Sequence, residues 1–335
     1  MSDLSPEADP APEAAPEAPS TAEGVVARST GSWYDVLLPD GERIQARARG
    51  KFRLIAEEID ETNPVAVGDH VEIRLEDDGT ALITDIRPRT TKLSRRAAGR
   101  RHSREHVLVA NVDAAWCVQS VFAPKFNSGF VDRVLVMAEA YGVEAGVVIN
   151  KADLMVGHKK AEEAIGFWIS LYESLGYPVL LTSAELGIGV DEFRDALTDR
   201  TSVVAGPSGV GKSSLLNAVD PALDLRTGEV SQKTQKGKHT TTFYTLYPLA
   251  AGGYVVDTPG IREFGLWDMT PPELGGYFVE MRPLIQDCRF PNCTHDHEPG
   301  CAVTAAVDEG TGTLERYGSY LYILASLRRG EDRGR

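Results

Sequence analysis

Residues 201–219 read TSVVAGPSGVGKSSLLNAV: an apolar strand, a glycine-rich turn and the opening of a helix. The turn, Gly206 to Ser214, fits the GxxxxGK[ST] pattern of a phosphate-binding loop. Gly206, Gly209 and Gly211 let the backbone curl until successive N–H groups face a β-phosphate, and Pro207, Ser208 and Val210 complete the loop. The helix behind it adds its positive N-terminal end. In that geometry Lys212 reaches the β- and γ-phosphates, the Ser213 hydroxyl ligates Mg²⁺ and Ser214 adjoins it. A chance glycine turn is the bland alternative, and the placement between an apolar strand and a helix argues against it.

A phosphate loop does not choose between adenine and guanine. Asn150-Lys151-Ala152-Asp153 does, being an NKxD motif. A carboxylate at Asp153 accepts from guanine N1–H and the exocyclic amine, a donor pair that adenine lacks. Facing adenine it would be left unpaired, at a cost of about 1–3 kcal/mol or more. Asn150 and Lys151 hold the loop and cover the base, and Thr182-Ser183-Ala184 backs the pocket. Asp257-Thr-Pro-Gly260 supplies a DxxG element, with Asp257 on a Mg²⁺-bound water and the Gly260 N–H on the γ-phosphate. Between the phosphate loop and this element lies QKTQKGKHTTT, from which Thr241 is taken as the second Mg²⁺ ligand, although spacing does not choose among the three adjacent threonines, Thr240, Thr241 and Thr242. Ile261 stands where many such enzymes carry a water-orienting glutamine. His239 is a candidate substitute, with a phosphate or RNA contact as its competing role.

Outward from these motifs, residues 107–262 alternate strands and helices, the pattern of a parallel sheet covered by helices. VLVANVDAAWCVQSV reads as one strand, FVDRVLVMAEAYG as a helix ending at Gly142, and 159–176 as another helix. Residues 24–88 read as short strands with Gly and Asp turns, a small β-barrel whose length fits a five-stranded OB-fold. Residues 263–330 turn helical and charged. Within them Cys288-x4-Cys293-x-His295-x5-Cys301 offers three thiolates and an imidazole, a donor set for a closed, structural Zn²⁺ site. Spacing does not separate His295 from His297. Cys117, in an apolar strand, reads as a small core residue.

The net charge of −14 is uneven. Residues 1–23 are Pro/Ala/Glu-rich with no Lys or Arg, the composition of a disordered tail. Residues 87–104 carry eight Lys/Arg and no acid, and read either as a solvated linker, with bounds at 89–106, or as a contact to a phosphate backbone. No apolar run has the length of a membrane span, and no secretion signal is evident, so a cytoplasmic protein without a membrane partner is expected.

The motif order NKxD, TSA, P-loop, DxxG is the ordinary order of guanine-nucleotide switches cut and rejoined. Together with GPSGVGKSSLLN, GKHTTT, DTPGIREFGLW, CRFPNCTHDHEPGCAV and RYGSYLYIL, it resembles the RsgA/YjeQ family of circularly permuted GTPases. The resemblance runs from about residue 24 to 328 and implies a multidomain α/β chain: an N-terminal OB-fold, a permuted P-loop GTPase domain and a C-terminal helical zinc-binding domain. It also implies His295 as the fourth zinc ligand, GTP as substrate, the 30S subunit and its 16S rRNA as partners of a monomer, and hydrolysis stimulated by the subunit. Because the DxxG loop runs into the C-terminal domain, nucleotide state is expected to reposition that domain. Two alternatives remain open at this point: an RNA-binding assembly protein with a regulatory or vestigial nucleotide site, and a P-loop kinase.

Overall fold

The computed structural model describes residues 20–58, 60–96, 104–226, 244–257 and 269–329. Strands β1 (Thr21–Ser29), β2 (Tyr34–Leu37), β3 (Arg43–Ala48), β4 (His70–Leu75) and β5 (Ala81–Ile86) close into a barrel in the order β1-β2-β3-β5-β4, with β4 returning to β1. Helix α1 (Lys51–Glu58) lies between β3 and β4 in the chain. Alternation selects the core: in β3 the pattern is exposed, buried, exposed, buried, so Ile44 and Ala46 join Val26, Val36, Ile73 and Ile83 inside. The barrel starts three residues earlier than position 24, because Thr21, Ala22 and Glu23 pair with Arg74, Ile73 and Glu72 of β4.

The basic run is not a bare linker. Lys92–Arg96 forms β6, antiparallel to β7 (Glu105–Ala110). Arg89 bonds both oxygens of Asp69 and reaches Glu61 at 2.8 Å, while Lys92 bonds Glu61 and Glu105 at 3.0 and 2.6 Å. These two cations are engaged in partly buried ion pairs of the protein itself. The stretch expected as one strand is also two. Asn111, at φ 55°, breaks it, its side chain accepting from Thr90 N–H and donating to Gly68 O, and β8 (Ala114–Ser120) then enters a different sheet.

That sheet has the order β10-β9-β8-β11-β13-β12, where β9 is Glu144–Asn150, β10 Val179–Leu181, β11 Thr201–Ala205, β12 Thr245–Pro248 and β13 Tyr254–Asp257. All neighbours are parallel except β12 against β13. Strands β8, β9 and β11 are buried almost throughout, as sheets covered on both faces are. The covering helices include α2 (Ser128–Tyr141), α3 (Lys159–Ser174), α4 (Val190–Leu197) and α5 (Lys212–Val219). Helix α2 starts where the Asn127 side chain caps Phe130 N–H at 3.1 Å and ends at Gly142, φ 65°. The chain runs outward from β8 to β10, then returns to place β11 on the other side of β8. Ligands in open α/β sheets bind at such a reversal, beyond the carboxyl ends of the strands.

The C-terminal unit, with α6 (Arg282–Ile285), α7 (Ala302–Asp308) and α8 (Leu314–Arg329), packs on α2. Arg316, 1% exposed, bonds Asp132 of α2 at 2.6 Å and Glu280 at 2.7 Å, and Tyr172 of α3 donates to the same Asp132 oxygen at 2.9 Å. This anchorage was not expected: it ties the C-terminal helices to the sheet's cover by a buried charge network, so a nucleotide-driven movement of the whole unit would have to break it. Removing one member leaves an uncompensated buried charge, at a cost of about 3–5 kcal/mol. Arg316→Ala is therefore expected to lower the thermal unfolding midpoint sharply, and an unchanged midpoint would refute the network's structural weight. Among the described residues, no helix is long and apolar enough to cross a membrane.

Candidate nucleotide and metal sites

The phosphate loop leaves β11 at Ala205 and enters α5 at Lys212. Gly209 and Gly211 sit at φ 85° and 93°, left-handed values that a side chain resists. Gly206 is held for another reason: a Cβ there would lie 2.3 Å from Val118 O on β8. Ser208, Gly209 and Ser214 are exposed and Ser213 half-buried, while Val210 is buried beneath the loop. The Lys212 ammonium donates to Gly206 O and Pro207 O at 2.8 and 3.0 Å, and so bridges the start of the loop.

Asn150, at the carboxyl end of β9 and 1% exposed, joins three segments through one side chain. Its amide donates to Val210 O of the phosphate loop at 3.0 Å. Its carbonyl oxygen accepts from the Thr182 hydroxyl and the Ala184 N–H, both at 3.2 Å. Lys151, at φ 63°, spans in the same direction and donates to Ala123 O and Gly209 O at 2.6 Å each. Asp153 is held from the other side, where the buried Ser183 hydroxyl donates to its Oδ1 at 2.5 Å and accepts from Leu186 N–H. The result is a cavity of about 230 Å³ lined by Asn150, Lys151, Asp153, Ala184, Gly211 and Ser214. Leu154 and Glu185 line it too. They were not anticipated, and adjacency to NKAD and TSA is the only signal that points to them.

Gly211 is where base loop and phosphate loop touch, since a Cβ there would come within 2.5 Å of Asn150 Nδ2. Combined with φ 93°, Gly211→Ala is expected to weaken nucleotide binding by about tenfold or more, given strain of order 1–3 kcal/mol. Titration with a fluorescent GDP analogue reads this directly; wild-type affinity in the variant would exclude the contact as a determinant. Asp257 ends β13, paired with Thr245 and Val204, which puts it on the strand beside β11. His239, Thr241 and Gly260, like Ile261, lie outside the described residues.

The second site is in the C-terminal unit. Cys288, Cys293, His295 and Cys301 present ligand atoms that all lie within 4.8 Å of one another. A tetrahedral ion with sulfur at about 2.3 Å and nitrogen at about 2.05 Å demands S···S near 3.8 Å and S···N near 3.6 Å. Cys288 and Cys301 sulfurs are 3.9 Å apart, and each is 3.5 Å from His295 Nδ1. Cys288, His295 and Cys301 thus stand at the separations a zinc ion requires, and Cys293 completes the set of four within the same 4.8 Å. His297 is exposed and faces Asp296, so geometry separates the two histidines where spacing did not. Three features hold His295 in place. Its backbone is at φ 51°, its carbonyl accepts from Tyr317 at 2.8 Å, and Gly275 leaves room for the ring, a Cβ there falling 2.8 Å from Nε2. Cys301 caps α7, its sulfur accepting from Thr304 N–H at 3.5 Å, which suits a thiolate at a helix N-terminus.

A family model described as RsgA GTPase matches residues 86–267, and one described as RsgA N-terminal domain matches residues 23–83. The small ribosomal subunit biogenesis GTPase RsgA of Bacteroides fragilis is 42% identical over 310 residues, covering 92% of this chain and 98% of that protein. Its namesake in Gemmatimonas aurantiaca is 43% identical over 306 residues, covering 91% and 97%. Among solved structures, YjeQ from Thermotoga maritima superposes with a TM-score of 0.72 at 34% identity, covering 92% of this chain and 99% of that one. YloQ, described as a circularly permuted GTPase, gives 0.68 at 30% identity, covering 92% and 96%.

Proposed function

Since the chain belongs to the RsgA GTPase family, we propose that it does what its relatives are named for, hydrolysing GTP in the service of small ribosomal subunit biogenesis. The observation that carries the nucleotide reading is Asn150, whose one side chain binds the base-reading loops to the phosphate loop. Guanine occupies the cavity with Asp153 on its N1–H and amine, Ser183 orienting the carboxylate, and Ala184 and Lys151 framing the ring. The loop from Gly206 to Ser214 wraps the phosphates with backbone N–H groups. Lys212 exchanges its contacts to Gly206 O and Pro207 O for the β- and γ-phosphates, and stabilises the charge that develops as water attacks. Ser213 and Thr241 would hold Mg²⁺, with Asp257 on one of its waters, and Gly260 would sense the γ-phosphate. When bound, the metal neutralises phosphate charge. His239 is the chain's candidate for positioning the attacking water.

The partner in this reading is the 30S subunit, gripped through its 16S rRNA by a monomer working in the cytoplasm. Zinc at the Cys288, Cys293, His295 and Cys301 cluster takes no part in the reaction. It cross-links a unit whose buried side chains, Phe278, Val303, Tyr320 and Ile323 among them, pack in the same cluster as Cys293 and Cys301.

Phosphate release from GTP and ATP, with and without purified 30S subunits, tests the proposal in wild type and Lys212→Ala. The expected result is slow GTP turnover that rises manyfold with 30S, inert ATP, and a Lys212→Ala rate lower by about 10²–10³-fold, as for loss of one electrostatic stabiliser. A GTP rate indifferent to 30S would remove the subunit as activator. ATP turnover equal to that of GTP would overturn the guanine assignment.

A further inference from the structure

Strand β8 is apolar until its last two residues, Gln119 and Ser120, and both of these are fully buried. An amide and a hydroxyl inside a sheet covered on both faces cost free energy unless they are bonded, and apolar side chains would fill the place without that cost. Both are bonded, and to one short segment. The Ser120 hydroxyl donates to Pro124 O at 2.6 Å, and Gln119 Oε1 accepts from Asn127 N–H at 3.2 Å. The turn over 121–125 is thus pinned back to the strand it leaves and, just beyond, to the residue that caps α2. At its start Val121 N–H donates to Asn150 O at 3.2 Å, with Ser120 and Asn150 opposite each other at the ends of β8 and β9.

The pinned turn lies against the phosphate loop. Pro124 faces Gly209, its Cδ 3.7 Å from where a Cβ on that glycine would stand. Ala123 takes φ 47°, a left-handed value uncommon for a residue with a side chain, and its carbonyl accepts from Lys151 Nζ at 2.6 Å. The same ammonium bonds Gly209 O, also at 2.6 Å. Lys151 therefore joins two carbonyls, one on the turn and one on the phosphate loop, through charge-assisted bonds that need both acceptors in place. A continuous line runs from the Ser120 hydroxyl through the Pro124 and Ala123 carbonyls to the Lys151 ammonium and Gly209.

We propose that Ser120 is a positioning residue of the nucleotide site: its hydroxyl holds the turn 121–125 so that Ala123 O and Lys151 fix Gly209 in the curl that wraps the phosphates. The assignment rests on the reading that the chain binds a guanine nucleotide, and adds to that site a residue that touches neither base nor phosphate. Asp153 is held from the other side by Ser183, outside this line. The effect of Ser120 therefore falls on how tightly a nucleotide is held and not on which base is chosen. Releasing the turn loosens ground state and transition state alike, which raises KM and speeds GDP release while turnover at saturation is kept.

The test follows release of a fluorescent GDP analogue and GTP turnover by the full chain, in wild type, Ser120→Ala, Lys151→Ala and the double variant. Ser120→Ala is expected to release GDP about 3- to 10-fold faster and to raise KM by a similar factor, the worth of one neutral hydrogen bond, with kcat kept. Its preference for GTP over xanthosine triphosphate should match that of wild type. A merely structural loss would do the reverse, lowering kcat with the inactive fraction and leaving KM and the release rate where they were. Ser120→Cys, a weaker donor of similar size, should fall between the two and serves where Ser120→Ala does not fold. The double variant should lose no more than Lys151→Ala alone, as groups acting in series do. Wild-type release and KM in Ser120→Ala, or fully additive losses in the double variant, would overturn the positioning role while leaving the guanine site in place. A wild-type chain that binds no guanine nucleotide would overturn both.

Discussion

Asp153→Asn is expected to turn a guanine reader into a xanthine reader. The carboxylate stands in the cavity with Oδ1 accepting from Ser183 at 2.5 Å. An asparagine keeps an acceptor for Ser183 but presents an NH₂ donor where guanine offers its own amine, so two donors face each other. Losing two charge-assisted hydrogen bonds, each worth about 1.5–3 kcal/mol, predicts a fall in GTP affinity of about 10²–10⁴-fold. Xanthine carries a carbonyl oxygen in place of that amine. Xanthosine triphosphate should therefore bind the variant better than GTP does, and support its 30S-stimulated turnover. Competition binding with GTP, ATP and xanthosine triphosphate decides it. Equal loss of all three would mean that the substitution damaged the loop, and retention of GTP affinity would mean that Asp153 does not read the base.

Loss of the zinc proposed for the Cys288, Cys293, His295 and Cys301 cluster should have the largest effect on folding. Structural zinc sites of this kind contribute about 10–16 kcal/mol of apparent binding free energy. Here Cys293 and Cys301 are buried in the same apolar cluster as Phe278, Val303, Tyr320 and Ile323. Without an ion, three sulfurs and an imidazole would face one another in the place of packed side chains. His295→Ala, Cys301→Ser or a strong chelator should abolish stoichiometric zinc by elemental analysis and expose residues 269–329 to proteolysis. His297→Ala should do neither. The sheet and its nucleotide loops lie in other elements, so GDP binding should survive, although the Asp132–Arg316 anchorage would be lost with α8. A metal-free chain with an unchanged protease pattern would show that the cluster is not what holds this unit together.

Much of the nucleotide site is legible in the amino-acid sequence. The phosphate loop, NKAD and TSA are local signatures, because backbone curl, a helix N-terminus and an alternating strand are set by residues within a few positions of one another. The strand-helix rhythm likewise locates α2, α3 and β11 to within a few residues. What periodicity does not show is the break at Asn111. An apolar run reads as one strand whether or not its middle residue turns left-handed, and here the turn is stabilised by bonds to Thr90 and Gly68, far away in the chain. Part of the basic run 87–104 is hidden from composition for a similar reason. Composition counts its charges but does not say that Arg89 and Lys92 meet Asp69, Glu61 and Glu105.

From residue types alone it follows that the chain holds a guanine site in permuted order, a small β domain before it and a four-donor cluster after it. Each rests on short spacings, where covalent geometry limits the outcomes. Three things needed the folded chain: which histidine joins the cysteines, that Asn150 is the common fastening of three loops, and that Arg316 locks the last helix to α2. The last two are contacts between segments tens to nearly two hundred residues apart. Nothing in the local chemistry of either partner specifies the other, so they exist only once the sheet, its covering helices and the C-terminal unit have brought them together.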